Sequence, residues 1–236
     1  SHRRSHQHNM TTDTFTSAEL ATLREHGFVL FADRVIFDAQ PPMAEADIAA
    51  VQALCSGPIA PELLDLWRVT AGGSLDYGLT IEMAGNREAI SWTELFFNGS
   101  DCYHDLRGWI EHELELAEDS ARDHDIPWTG KLDALPFGGF EYCDRVYVVV
   151  EPGPSHGRIL AWKQGLPPAW THRLHEDSVA GIGENLYAAF AALHLPDDPL
   201  APTEEYFAGE TFLSEVTRQV DHCGLDRALA DKLIAF

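Results

Sequence analysis

The fold is decided by residues 135–163, LPFGGFEYCDRVYVVVEPGPSHGRILAWK. Two apolar runs, LPFGGF (135–140) and RVYVVV (145–150), are rich in the aromatic and β-branched residues that strands favour. The turn sequence EPGPSHG separates the second run from RILAWK (158–163), so these two runs are predicted to form a hairpin. The segment therefore predicts the centre of a mostly antiparallel, curved sheet.

Helical patterns lie on both sides of these strands. The helices are predicted at residues 17–26, 44–55, 59–73, 103–119, 178–194, 209–222 and 225–234. Ser17 is the predicted N-cap of the first helix and Gly27 its stop, while LDYGLTIEM (75–83) alternates like a further strand. Helices, then a run of strands, then helices indicate the α+β class, with N-terminal and C-terminal helices packed on the sheet.

The chain is predicted to contain one main domain with extensions at both ends. Residues 1–10 resemble a tag or linker, residues 11–44 are an N-terminal helical extension, and residues 45–195 are the main domain. The proline- and aspartate-rich stretch 195–206 reads as a linker. Residues 196–236 are a C-terminal helical extension, which is expected to pack on the main domain because it is too short to build its own core.

Charge is the most informative feature of the composition. The 38 acidic residues outnumber the 16 basic ones and give a net charge of −22. This charge disfavours nucleic acid and anionic membranes as partners, since both require Lys and Arg to displace counterions. It attracts a basic protein instead. Four widely spaced cysteines without a CxxC pair, and no apparent leader, favour free thiols and a cytoplasmic location.

Three blocks of this sequence resemble a known family when taken in order. PELLDLWRVTAGGSLDYG (61–78) is similar to the opening block of the SUKH superfamily, a helix followed by a Gly-Gly turn and a strand. Residues 135–165 resemble its later strand–turn–strand block, and GENLYAAFAALHL (183–195) its closing helix. The likeness covers roughly residues 45–195. Cys143-Asp144-Arg145 departs from it, because a Gly-Asp pair is commoner there.

The resemblance implies a compact fold without catalytic apparatus or cofactor. Bacterial SUKH proteins are typically immunity proteins that neutralise a cognate toxin by direct binding, and the superfamily also includes yeast cell-wall assembly regulators. The predicted function is therefore that of an immunity protein with a toxin as partner. A housekeeping SUKH scaffold without a toxin is the first alternative, and a metal-dependent hydrolase is the second. The long helix 103–119 and the tail after 196 exceed the minimal domain, which leaves the partner open.

An acidic ridge on the 103–119 helix is the predicted partner-binding surface. Glu111, Glu115 and Glu118 follow the spacing i, i+4 and i+7, opposite the apolar stripe, with Glu113 and Asp119 nearby. Like charges at i,i+4 destabilise a helix by a few tenths of a kcal/mol, so the ridge opposes local stability, as binding surfaces often do. Asp123 and Asp125 extend it. A generic solvated face of an acidic protein is the other interpretation.

Other chemistry has weaker support in the sequence. No HExxH, paired CxxC, GxSxG or P-loop pattern is present. The groups considered as metal or acid–base sites are His172 with His175 and Asp177, Cys102 with His104, His222 with Cys223, and Asp123-His124-Asp125. Surface or turn roles are expected for all of them. Aromatic residues in less regular sequence, which fit either packing or an interface, are Trp92, Phe96, Phe97, Trp128 and Trp170.

Overall fold

The computed structural model describes residues 14–83, 85–100, 105–163, 179–195 and 209–236. Their helices are α1 (Ser17–Glu25), α2 (Glu45–Gln52), α3 (Pro61–Val69), α4 (Leu106–Asp123), α5 (Leu186–Ala192), α6 (Glu210–Cys223) and α7 (Arg227–Ile234). Their strands are β1 (Val29–Phe31), β2 (Arg34–Ile36), β3 (Gly73–Ser74), β4 (Thr80–Met83), β5 (Asn86–Ala89), β6 (Glu94–Leu95), β7 (Ala134–Phe140), β8 (Asp144–Val149), β9 (Ile159–Lys163) and β10 (Val179–Gly183). The α+β class is confirmed.

The central sheet has six strands in the order β10-β9-β8-β7-β6-β3, and every neighbouring pair is antiparallel. The predicted strands β7, β8 and β9 form its middle, and every residue of β8 is buried. Two glycines bring β7 close to its neighbours. A Cβ at Gly138 would lie 2.5 Å from Nε1 of the buried Trp92, and one at Gly139 would lie 2.1 Å from the carbonyl oxygen of Asp144.

The helix predicted over residues 178–194 is wrong in its first half. Val179–Gly183 forms the edge strand β10, and the helix begins only at Leu186. Two glycines, Gly181 and Gly183, weaken a helix there, and the side chain of Asn185 accepts a hydrogen bond from the backbone N–H of Ala188 at 2.9 Å. Asn185 is therefore an N-cap that divides one apolar pattern into two elements.

Several short elements also differ from the predictions. The β1–β2 hairpin was not predicted, because its turn places Ala32 and Asp33 at φ 47° and 58° without the glycine that usually marks such turns. Only Thr80–Met83 of the 75–83 segment is a strand, and it pairs with β5 outside the central sheet. Thr16, not Ser17, is the N-cap of α1, since Thr16 and Glu19 form a reciprocal capping box.

Both ends of the chain contribute to a second hydrophobic cluster beside the main core. Its buried residues are Phe15, Leu23, Phe28, Val35, Phe37, Val216, Leu225, Leu229, Ala230 and Leu233. The N-terminal and C-terminal segments thus pack against each other. They are also tied to the main core, because the backbone N–H of Phe212 donates to Oδ2 of Asp76 at 2.9 Å and Arg24 donates to the carbonyl oxygen of Val69.

Candidate functional site

Helix α4 presents all its acidic residues except Glu113 on an exposed outer face. Asp105 caps the helix by accepting a hydrogen bond from the N–H of Gly108 at 2.9 Å, and the helix continues to Asp123, four residues beyond the predicted end. All six carboxylates of the predicted partner surface are exposed: Glu111, Glu115, Glu118, Asp119, Asp123 and Asp125. Their exposure permits a direct contact with a partner, although the contact itself stays a prediction.

Cations of the described residues neutralise little of this acidic face. Asp119 lies 3.3 Å from Nη1 of Arg122, and both side chains are more than 60% exposed, so this pair contributes little to stability. None of the other five carboxylates forms an ion pair within the residues that the structure describes. A basic partner would therefore meet carboxylates that no cation of the described residues has already paired.

An exposed aromatic side chain adjoins the acidic face. Tyr142 lies in the β7–β8 turn and is 53% exposed, and its ring packs edge-on against Trp109 at 5.2 Å and His112 at 6.4 Å between centroids. Burial and the nearby Arg145 lower the pKa of His112, while Glu115 acts in the opposite direction. Glu115 follows His112 by three residues, so these two side chains are neighbours on α4, and Tyr142 packs against the first of them.

Tyr142 was not among the aromatic residues predicted as interface candidates. Trp92 and Phe96, which were, are each only 1% exposed and belong to the main core. Phe97 and Trp128 are half-buried, and Trp170 lies outside the described residues. The available signal was the position of Tyr142 in the short turn between two strands, where a side chain has few neighbours.

We refer to Tyr142 and the exposed carboxylates Glu111, Glu115, Glu118, Asp119, Asp123 and Asp125 as the acidic-aromatic surface.

The inner face of α4 carries a glutamate of a different kind. Glu113 is only 6% exposed, and its Oε1 accepts a hydrogen bond from the hydroxyl of Tyr147 at 2.5 Å. Burial raises the pKa of Glu113 to about 7, against the smaller lowering effects of Tyr147 and Arg145. Glu113 was predicted to lie beside the ridge. Its spacing of four residues from Trp109 and three from Ile110 was the signal that puts it on the apolar face instead.

Arg145 connects the inner face of α4 to the sheet. Its side chain is buried, and the guanidinium carbon lies 3.3 Å from the ring centre of Trp109 and 6.0 Å from that of Phe96. Nε and Nη1 of Arg145 have no hydrogen-bond partner among the described residues. The neighbouring Asp144 is also buried and accepts a hydrogen bond from the N–H of Ser91 at 2.6 Å. The stacked cation thus holds α4 on β8 chiefly by packing and cation–π attraction.

The buried groups below α4 do not line either cavity that the structure describes. One cavity measures about 410 Å³ and the other about 180 Å³, and neither includes Glu113 or Tyr147 among its lining residues. Acid–base chemistry requires a side chain within hydrogen-bond reach of a bound substrate. Glu113, Tyr147 and Arg145 link the inner face of α4 to strand β8.

The candidate metal groups are only partly covered by the structure. Within the described ranges, no group of three or more His, Cys, Asp or Glu side chains is arranged to hold a metal ion. His124 of the Asp123-His124-Asp125 group instead places Nδ1 2.8 Å from the carbonyl oxygen of Ser120. His222 and Cys223 end α6, and Cys55, Cys143 and Cys223 are free thiols. The remaining candidates, His172, His175, Asp177, Cys102 and His104, lie outside the described residues.

Comparisons with known proteins give no relative. No family model, no curated protein and no solved structure matches this chain. Membership of the SUKH superfamily therefore stays a prediction. In the part of the chain that the structure covers, no helix has the length and apolar character needed to cross a bilayer.

Proposed function

We propose that this protein is an immunity protein that binds and neutralises a basic toxin through the acidic-aromatic surface, without catalysing a reaction. The observation that carries the proposal is the exposed Tyr142 ring packed against His112 of α4, a helix whose exposed carboxylates, apart from Asp119, form no ion pair within the described residues. The SUKH-like fold and a cytoplasmic location belong to the same proposal.

The two components of the surface have different physical roles. The carboxylates of α4 raise the local concentration of a basic partner and accelerate its encounter, an effect that salt screens. Tyr142 supplies a large ring that loses water on contact, which is the usual property of an interface hot spot. Charge therefore controls association, and the aromatic ring controls the lifetime of the complex.

The surface is rigidly supported, which reduces the entropy lost on binding. Trp109 contacts both Tyr142 and Arg145, and the hydroxyl of Tyr147 in the sheet donates a hydrogen bond to Glu113. A binding surface that is held in place before contact loses less conformational freedom when the complex forms. The buried cluster thus contributes to binding indirectly, by fixing the direction in which α4 presents its carboxylates.

The proposal is tested by co-expression with the product of the neighbouring gene, purification of any complex, and surface plasmon resonance. The triple variant Glu111→Lys, Glu115→Lys, Glu118→Lys should associate at least about tenfold more slowly than the wild type. Tyr142→Ala should mainly increase the dissociation rate. Affinity should fall markedly by about 0.5 M NaCl, where the screening length is below ~5 Å.

A matched variant separates the surface from net charge. Glu25, Glu151 and Asp221 are exposed residues outside α4, and their replacement by lysine also changes the net charge from −22 to −16, since each of three reversals adds two units. Equal slowing by both triple variants would remove α4 from the proposal. Binding of a partner that lacks toxic activity would favour the housekeeping scaffold instead.

A further inference from the structure

A cavity of about 410 Å³ lies on a different part of the molecule from α4. Its walls come from the β1–β2 hairpin, the loop after β3, the end of α5 with the segment that follows it, and the helices α6 and α7. These segments belong to the two hydrophobic clusters, so the cavity lies where the clusters meet. Volumes of several hundred Å³ are typical of sites for small molecules.

One wall of the cavity is apolar and partly open to water. Phe37, Phe212 and Leu233 line it, together with Leu195 and Ile234, whose exposed fractions are 56% and 45%. Binding is favoured when a ligand removes the surface of large apolar side chains from water. A ligand bound in the cavity would therefore cover two exposed large apolar side chains, Leu195 and Ile234.

Another part of the wall is polar, and hydrogen bonds to the backbone hold it in place. The Arg34 guanidinium donates to the carbonyl oxygen of Leu193 at 2.7 Å from Nη2 and 3.1 Å from Nε, and to those of Ala191 and Asp33 at 3.2 and 3.0 Å. It also lies 5.7 Å from the ring centre of Tyr77. Most N–H donors of Arg34 already bond backbone carbonyls. This cation is therefore part of the wall and has few donors left to bind an anion.

The charges at the cavity favour a cationic ligand. The carboxyl-bearing residues Asp33 and Asp76 line it together with Arg34 and the imidazole-bearing His194, and the whole protein carries a net charge of −22. One oxygen of Asp76 accepts the N–H of Phe212 at 2.9 Å, whereas the carboxylate of Asp33 forms no hydrogen bond or ion pair within the described residues. An anionic headgroup would be repelled by this field.

We propose that this cavity binds a small amphiphilic amine, with its aromatic or branched apolar body against Phe212 and Ile234 and its ammonium group towards Asp33. This site is independent of the acidic-aromatic surface and of the proposed toxin partner. Either proposal can therefore fail without the other.

The chemical class is tested with three probes that share one body: 3-phenylpropylamine, 3-phenylpropan-1-ol and 3-phenylpropionate. Binding to the full chain is measured by isothermal titration calorimetry and ligand-observed NMR. We expect the amine to bind most tightly and the carboxylate at least about tenfold more weakly. Tighter binding of the carboxylate, or no binding of the amine and the alcohol at millimolar concentration, would overturn the proposal.

The location is tested with tryptophan substitutions on one helix. Ala191 is exposed and lines the cavity, so Ala191→Trp should fill the opening and weaken binding of the amine at least about tenfold. Ala188 is exposed on the same helix but does not line the cavity, so Ala188→Trp is the matched control and should bind like the wild type. Equal binding by both variants would place the amine elsewhere and overturn the assignment.

The role of the carboxylate is tested with Asp33→Asn. Asp33 has a φ of 58°, a conformation that asparagine also tolerates, so the turn should be preserved. The variant should lose the preference for the amine over the alcohol, while its affinity for the alcohol stays within about twofold. An unchanged preference would contradict the proposed orientation.

Dimers that compete with the probe in sedimentation experiments would show that a second copy covers the cavity, which also overturns the proposal.

Discussion

The two faces of helix α4 carry the same type of residue in opposite environments. Glu111 and Glu115 on the outer face are exposed, whereas Glu113 between them is 6% exposed and bonded to Tyr147. Two residues correspond to about 200° around a helix, so this separation alone moves a carboxylate from water into the core. Glutamates of this helix thus occupy two environments, and only those on the outer face are available to a partner.

The inner face gives the largest expected effect. Trp109→Ala removes a buried ring that contacts Phe96, Tyr142 and the stacked Arg145. We expect the free energy of unfolding, measured by urea titration, to fall by about 3–5 kcal/mol. Trp128→Ala is the control. Because Trp128 is only half-buried, its replacement should lower the free energy of unfolding clearly less. Similar losses for the two variants would show that Trp109 has no special role below α4.

The second effect concerns the pH dependence of stability. Burial raises the pKa of Glu113 from its ordinary 4.5 to about 7. At pH values between these two, the folded state keeps a proton on Glu113 that the unfolded state has lost. Stability from this group is fully present below about pH 4.5 and is lost as the pH rises through about 7, by roughly 3 kcal/mol in total. Glu113→Gln should therefore be more stable than the wild type at pH 8 and similar to it at pH 4.5.

Urea titrations of wild type and Glu113→Gln across pH 4.5–8 measure this difference directly. Glu115→Gln changes the same residue type on the outer face and should follow the wild-type pH profile. A Glu113→Gln variant that tracks the wild type at every pH would mean that Glu113 remains ionised in the folded protein. The inner and outer glutamates would then be equivalent electrostatically, and the comparison would fail.

The sequence predicted the main elements because their signals are local. Strands β7 to β9 follow apolar runs bounded by turn residues, and α3 has Pro61 in its first turn and an apolar stripe. Failures came from competing signals. The apolar spacing from Val179 to Leu193 fits a helix, yet two glycines and the Asn185 cap divide it. The β1–β2 turn uses a strained Ala32-Asp33 pair that no local motif marks.

The candidate surface was predictable in part. Helical periodicity correctly indicated an exposed ridge at Glu111, Glu115 and Glu118, because exposure follows from phase along a helix. Tyr142 and Arg145 reach α4 from the β7–β8 hairpin, and such long-range neighbours depend on how the sheet packs against the helix. The cavity beside Arg34 was beyond prediction for the same reason, since segments from both ends of the chain form it.

A smaller effect is expected where the two faces meet. Tyr142→Ala removes edge-on contacts with Trp109 and His112, and such aromatic pairs contribute about 0.5–1.5 kcal/mol beyond burial. Since the ring is 53% exposed, the unfolding free energy should fall by only about 1 kcal/mol in urea titration. Tyr142→Phe keeps the ring and is the control. A loss as large as that of Trp109→Ala would make Tyr142 a structural residue and weaken its role as a binding anchor.

The smallest effect is expected on the outer face. Replacing Glu111, Glu115 and Glu118 together by glutamine removes like-charge repulsion along α4, so the unfolding free energy should stay within about 0.5 kcal/mol of wild type, or rise slightly. Urea titration at low and high salt measures this, because screening by salt should reduce any gain. The single Glu113→Gln variant at pH 8 provides the contrast from the inner face. A marked loss of stability in the triple variant would mean that these carboxylates serve the fold, and the reason for assigning them to a partner would disappear.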